Sequence, residues 1–377
     1  MVASQKSPNL VVIQLIGAND PLNTIIPYGN PLYYDFRPNV HMKPEEVLPI
    51  DDDFGFTPHA GAIKSLWDQG KVALINGIGY TNPNRSHFRS MDVWHTAQPD
   101  KIATEGWLGR AMRELDPNAE NVLTGVNFGR GLPRSLSCRG VPVASVGNLE
   151  TYGLFPDLKD EQEKHYALEA FAQMYGGAEA HDAVIDFLGQ TGRDALKGAD
   201  ILRTAPAKYT SSVEYAPNGI AQSLKNAAQV MFADLGTRIY YTSYGSFDTH
   251  GGELAQHASL WDDVSGAVSD FYADLEEHGR EDDTLIYIWT EFGRRIRDNG
   301  SGTDHGAGGT AFIIGNKVKG GMYGEYPSLK EEDQLDGDLK ANNDFRQTYT
   351  TILERWLGLD AGPIVNGRFE PHDFLDK

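Results

Sequence analysis

Five short segments of this chain combine carboxylates, imidazoles and hydroxyls at spacings that suit ion or ester chemistry. The first is Gly17-Ala18-Asn19-Asp20. The second, Asn84-Arg85-Ser86-His87-Phe88-Arg89-Ser90, sets a hydroxyl and an imidazole between two arginines. The others are Ser246-Phe247-Asp248-Thr249-His250, then Glu291-Phe292-Gly293-Arg294-Arg295, then Gly302-Thr303-Asp304-His305-Gly306 on a glycine-rich loop. Carboxylates carry charge and imidazoles supply nitrogen ligands, so these residue types fit a hard or borderline divalent cation. Asp248 and His250, one residue apart, can reach one ion from an extended or turning backbone, where side chains alternate. Taken singly each residue has a bland reading: Asp20 caps a turn, and His305 is a satisfied loop histidine. Asp248, His250, Glu291 and His305 taken together point to metal binding.

The segment around Ser86 carries a different chemistry. Ser86 lies where a loop enters a helix, flanked by Arg85 and Arg89. A hydroxyl at a helix N-terminus, near cations and a metal, is placed to attack an anionic ester. Backbone amides and arginines there stabilise the added negative charge, and metal coordination lowers the hydroxyl pKa. The competing reading makes Ser86 an N-cap and Arg85 and Arg89 members of surface salt bridges; the residues leave the two level. His87 and Ser90 are rival site residues on the same segment. Asn84 and Arg294 join Arg85 as candidate substrate contacts, Arg294 because it belongs to a local basic cluster with Arg295 and Arg297.

Four of these segments come after predicted strands and the fifth follows on a glycine-rich loop, and ligand sites in open parallel sheets form at the carboxyl ends of strands. Leu10–Ile16 (LVVIQLI) is a short, nearly continuous apolar run of the kind that forms a buried parallel strand. Val72–Ile75, Thr237–Thr242, Thr284–Trp289 and Thr310–Ile314 are the other predicted strands. Helices are expected from Thr57-Pro58 through Trp67, an N-cap with proline at the first helical position, then over Arg85–His95, Gly252–Glu277 and Phe345–Leu357. Strands alternating with helices predict an α/β fold with a mostly parallel central sheet flanked by helices. The middle of the chain differs. EQEKHYALEAFAQMY, HDAVIDFLGQTGRDAL and GIAQSLKNAAQVMFADL have helical periodicity, so residues 150–235 read as a helical insertion or cap in one domain spanning 1–377.

Lys and Arg number 33 and Asp and Glu 53, for a net charge of −20. A chain this acidic has no general electrostatic reason to bind nucleic acid or an anionic membrane. At 40% hydrophobic and 10% aromatic residues it is not an acidic disordered chain. The single cysteine, Cys138, excludes an internal disulfide and a multi-cysteine metal site. No apolar run approaches the roughly 18 residues of a membrane span. The sequence as it stands reads as cytoplasmic, or as periplasmic or secreted if an export signal has been removed.

The series GANDPLNTIIPYG, GYTNPNRSHFRSMDVWHTA, GWLGR, SFDTH, TEFGRR, GTDHG, KGGMYGEYPSL and DFRQTYTTIL spans nearly the whole chain. In that order it resembles the bacterial domain-of-unknown-function family fifteen-oh-one, which is placed in the alkaline phosphatase-like superfamily with sulfatases and metal-dependent phosphomutases. Members often carry a twin-arginine export signal, and no firm activity goes with the family. The resemblance implies an alkaline phosphatase-like fold. It also implies that Asp20 is the first-strand metal ligand and that Ser86-His87 falls on the nucleophile region, with Arg89 near the sulfatase arginine. Asp248 and His250 match the later Asp-and-His pair, Glu291 and Phe292 match an Asp-His, and His305 matches the last histidine. Phe292 thus replaces a ligand, which implies one metal ion rather than two. The sulfatase Cys/Ser-x-Pro-x-Arg pattern is absent.

The resulting expectation is a metal-dependent hydrolase of a phosphate or sulfate ester, acting on a small-molecule or saccharide substrate. Asp20, Asp248, His250, Glu291 and His305 would hold Zn, Mn, Ca or Mg, and Ser86, His87 and Arg89 would carry the chemistry. A non-catalytic anion- or partner-binding protein on the same fold and a sulfuryl or phosphoryl transferase are the rival readings.

Overall fold

LVVIQLI is short and rich in branched apolar side chains that pack well on a pleated surface. In the computed structural model it lies in strand β1 (Asn9–Ile16), which is buried along all but its last residue. The structure describes residues 7–149 and 201–376 and, between them, residues 160, 162, 163, 166, 167, 169, 170, 192, 194 and 197–199. After β1 come β2 (Ile25–Ile26), α1 (Pro31–Phe36), β3 (Leu48–Pro49), β4 (Gly55–Phe56), α2 (Gly61–Asp68), β5 (Val72–Gly79), α3 (His87–Thr96) and α4 (Trp107–Leu115). Next are β6 (Gly125–Phe128), β7 (Ala144–Val146), α5 (Gly219–Phe232), β8 (Ile239–Gly245), α6 (Glu253–Glu277) and β9 (Thr284–Thr290). The chain closes with β10 (Arg294–Asp298), β11 (Thr303–His305), β12 (Gly309–Ile314), β13 (Gly321–Tyr323), β14 (Asn343–Asp344), α7 (Phe345–Thr351) and α8 (Ala361–Val365).

The central sheet has the order β13-β5-β12-β9-β1-β8-β6-β7, with β14 also on β5. β1 pairs in parallel with β8 and β9, and β6 in parallel with β8 and β7. β12 runs antiparallel to β5 and β9, so the sheet is mostly parallel. Alternate residues of β1 face opposite sides. Val11, Ile13 and Leu15 pack with α2, α5 and α6, while Leu10 and Val12 join α3, α4, α7 and α8. This is the helix-flanked α/β arrangement expected from the strand–helix alternation.

Several boundaries depart from expectation. Gly302–Gly306 is not a plain loop: Thr303–His305 forms strand β11, which pairs with β10 as a small antiparallel hairpin. The helix expected from Pro58 begins as a 3-10 turn and becomes α-helical at Gly61. The closing helix ends as α7 at Thr351 and continues as one π-turn over Ile352–Trp356. Helix α4 and strands β6 and β7 were not anticipated. Of the three helices expected in 150–235, GIAQSLKNAAQVMFADL is α5; the EQEKHYALEAFAQMY and HDAVIDFLGQTGRDAL segments lie largely outside the described residues. Among the described residues no helix is long and apolar enough to cross a membrane.

Candidate metal centre

Because β1, β8 and β9 are parallel neighbours, their carboxyl ends open on one edge of the sheet. β1 delivers Gly17 there, β8 leads to Asp248 and His250, and β9 leads to Glu291. The β10–β11 hairpin then folds back over the same edge and carries His305. Helix α3, which follows β5, contributes His87 as its first residue. The segments lie very close together. A Cβ on Gly17, whose φ is +114°, would come within 2.4 Å of the backbone nitrogen of Asp248, so only glycine lets the β1 turn rest against the Asp248 segment.

His305 is the hub of the cluster. Its Nε2 lies 3.0 Å from Nε2 of His87, 2.9 Å from Nε2 of His250 and 3.0 Å from Oδ1 of Asp248. His250 Nε2 is also 3.1 Å from Asp248 Oδ1, and His87 Nε2 is 3.5 Å from Asp248 Oδ2. One ligand atom each from His87, Asp248 and His305 falls within 4.8 Å of the others.

The far side of each ring decides its tautomer. Nδ1 of His87 lies 2.8 Å from Oε1 of Glu291. Nδ1 of His250 lies 3.0 Å from Oδ1 of Asp304. Nδ1 of His305 lies 2.9 Å from the carbonyl oxygen of Arg85. All three partners can only accept, so in the neutral rings Nδ1 carries the proton and Nε2 presents a lone pair. Three lone pairs and a carboxylate meeting about one nitrogen repel unless a cation stands among them. Ligand atoms around a tetrahedral ion bound at 2.0–2.1 Å stand roughly 3.3 Å apart, close to these separations. Nδ1 bonded to a carboxylate or carbonyl is also the outer-layer pattern that orients metal-binding histidines. The donors of His87, Asp248 and His305, with His250 Nε2 beside them, could therefore hold a divalent ion.

The surroundings tune this set. Arg294 sits opposite His305 in the hairpin register, is fully buried, and donates from Nη2 to Asp248 Oδ1 at 2.7 Å and to the Phe247 carbonyl at 3.0 Å. Burial pushes the Asp248 carboxyl upward, but the hydrogen bond and positive charge of Arg294 outweigh it and leave the group below its usual range. The hydrogen bond to Glu291 raises His87 above the usual histidine range against its partial burial. Phe292, 2% exposed, packs against His87 and His305 with ring centres 4.9 and 5.2 Å away. It gives the cluster an apolar wall.

The cluster thus gathers Asp248, His250 and His305, and takes His87, expected in a catalytic role, as a further donor. Asp20 and Glu291 stand elsewhere. Both oxygens of Asp20 are engaged by Arg37, one of them at 2.9 Å. Glu291 lies behind His87 and accepts from the Gly17 amide at 2.9 Å and from Thr290 Oγ1 at 3.2 Å. The arginines are committed too. Arg85 pairs with buried Asp338 at 2.6 Å. Arg89 pairs with Asp92 at 2.6 Å and donates to the Pro99 carbonyl, which leaves it turned from the cluster. Arg294 is buried against Asp248. The side chain of Asn84 accepts from the Ser86 amide at 2.8 Å. Ser86 is the N-cap residue of α3 but makes no side-chain capping bond, so its exposed hydroxyl is free, one residue before His87. Asp338 and Arg37 are partners that sequence reasoning did not place; Asp304, next to His305, had a local signal and stands behind His250.

The sequence profile of a family described as protein of unknown function (DUF1501) matches residues 76–364. No curated protein matches the chain. Among solved structures, it is similar to the PsFucS1 sulfatase from Pseudoalteromonas sp., with 11% identity and a TM-score of 0.43, covering 99% of this chain and 72% of that one. It is also similar to the C-terminal periplasmic domain of EcEptC from Escherichia coli, solved in complex with Zn, with 9% identity and a TM-score of 0.39 over 84% and 75% of the two chains. A third is a protein in the alkaline phosphatase superfamily from Vibrio parahaemolyticus, with 9% identity and a TM-score of 0.37 over 85% and 63%. At these scores the likenesses are distant and carry no functional weight.

Proposed function

The chain belongs to the DUF1501 family of proteins of unknown function, and we propose that it is a metal-dependent hydrolase of phosphate or sulfate esters with one ion held by His87, Asp248, His250 and His305. The observation that carries this reading is the convergence of two imidazole Nε2 atoms and one carboxylate oxygen on His305 Nε2. Three nitrogen donors favour zinc over calcium, magnesium and manganese, which prefer oxygen. When bound, such an ion polarises an ester oxygen and lowers the pKa of a hydroxyl or water beside it.

The chain's own residues supply the rest. Glu291, Asp304 and the Arg85 carbonyl fix the three rings, and Arg294 fixes Asp248. Ser86, with its free hydroxyl at the start of α3, is the nucleophile: its oxygen bonds to phosphorus or sulfur as its proton passes to solvent water, the bond from phosphorus or sulfur to the ester oxygen breaks and that oxygen leaves with a proton from water, and a second water then gives its OH to the phosphate or sulfate and its other proton to the released serine oxygen. The unpaired amides of the first helical turn face the anion. In a chain of net charge −20, this small positive centre is what admits an anionic small-molecule or saccharide ester.

The test is turnover of a panel of aryl and sugar phosphates and sulfates by purified protein, with Zn²⁺, Mn²⁺, Mg²⁺ or Ca²⁺ added. Zinc-stimulated turnover abolished by His305→Ala supports the reading. Turnover that ignores both metal and His305 sinks it, and metal uptake without turnover of any ester points to a binding protein.

A further inference from the structure

A second polar cluster lies under the metal centre, sealed from solvent. Asp20, Arg37 and Glu253 are each 0% exposed. Arg37 uses its whole guanidinium. Nε donates to the Ile296 carbonyl at 3.0 Å, Nη2 donates to the Arg295 carbonyl and to Asp20 Oδ1, both at 2.9 Å, and Nη1 pairs with Asp20 Oδ2. Glu253 lies 3.8 Å from Nη1. It accepts from Thr303 Oγ1 at 2.5 Å and from Asn23 Nδ2 at 2.9 Å, and Asn23 in turn accepts from Tyr33 OH at 2.6 Å.

These bonds join the segments that carry the proposed ligands. Arg295 and Ile296 follow Arg294 on β10, Thr303 precedes His305 by two residues on β11, and Glu253 follows His250 by three at the start of α6. Asp20 follows Gly17, whose amide holds Glu291. We infer that Arg37 is a positioning residue for the metal centre: it clamps the β10–β11 hairpin to the β1 turn and the start of α6, and so sets the separation of Asp248, His250 and His305. This inference rests on the metal centre proposed above.

The charges agree with a clamp rather than a second ion site. Arg37 holds Asp20 below the usual carboxylate range despite burial. Burial and the Asp20 charge push Glu253 up to about 8. One anion then faces one cation, and no charge is left to recruit a further ion. A fork of planar donors is what the clamp needs: lysine offers a point charge and cannot reach two carbonyls and a carboxylate in one plane.

The experiment compares the wild type with Arg37→Lys, Asp20→Asn and the double variant Arg37→Met/Asp20→Leu, which removes both charges together so that neither is stranded in the core. Two quantities are read: zinc affinity by chelator competition, and the visible spectrum of the cobalt(II)-loaded protein, which reports ligand geometry independently of turnover. Arg37→Lys and the double variant are expected to bind one metal per chain roughly 10–100-fold more weakly, with shifted cobalt bands. Asp20→Asn is expected to keep one metal per chain. Wild-type affinity and spectrum in both Arg37 variants overturn the positioning role alone, as does complete loss of metal in a folded Asp20→Asn, which would make Asp20 a ligand. A wild type that binds no metal overturns both this inference and the proposed function.

Discussion

Glu291 stands behind His87: its Oε1 lies 2.8 Å from Nδ1, the ring nitrogen turned away from the other imidazoles. Two residues that both looked like site groups in sequence therefore form two layers, a donor and the carboxylate that orients it. Replacing Glu291 with glutamine keeps the shape but removes the charge that sharpens the Nδ1–H bond. Metal affinity is expected to fall roughly 10–100-fold with one ion per chain still bound at saturation. Chelator competition measures this, and loss of all binding would instead make Glu291 a ligand.

Ser86 presents a free hydroxyl one residue before His87, with no capping bond to give up. Ser86→Ala is expected to lower kcat by at least about a hundredfold while metal content and melting temperature stay at wild-type values. Steady-state kinetics on the best ester of the panel decide it. An unchanged kcat assigns the attack to water.

The proposed ion would tie together three chain segments: the start of α3, the Asp248–His250 turn and the β10–β11 hairpin. At a free zinc concentration of 100 times Kd it should add about 2.7 kcal/mol of stability. With roughly 2 cal/mol/K of unfolding entropy per residue, a chain of 377 residues should melt about 3 °C higher with zinc than with chelator. Calorimetry with and without His305→Ala checks it, since the variant should lose the shift.

His257 is buried at 1% exposure among Asn19, Thr24 and Trp261. Burial lowers its pKa from 6.5 to about 4, against the opposing pull of Asp20. The folded protein thus keeps the ring neutral where the unfolded chain protonates it. Its contribution is complete above pH 6.5 and is lost as pH falls from 6.5 through about 4. The loss is up to about 3 kcal/mol at 1.36 kcal/mol per pKa unit. Urea unfolding at stepped pH should show a shallower acid limb in His257→Gln than in the wild type.

The apolar runs of β1, β9 and β12 were legible in the sequence because a strand buried on both faces must be mostly apolar. Asp248, His250 and His305 were legible because polar residues at the ends of such strands have few structural uses. The role of Asp20 was not. Its partner Arg37 closes a six-residue helix in an irregular stretch, and no spacing rule links the two. The β10–β11 hairpin was hidden for a similar reason: Arg-Arg-Ile-Arg-Asp and Thr-Asp-His are held by Arg37, Glu253 and Asp338, and Ile296 is the one large apolar side chain they bury. Arg85 and Arg89 looked free for an anion, but Asp338 lies 253 residues from Arg85, beyond any local pattern.

The metal content of the protein is the most direct test of the central claim. Protein purified in the presence of zinc and freed of loose ions by gel filtration should carry one ion per chain by elemental analysis. His305→Ala and Asp248→Ala, folded by circular dichroism, should carry less than about a tenth of that. A folded wild type that retains no ion, or variants that retain as much as the wild type, would contradict the account.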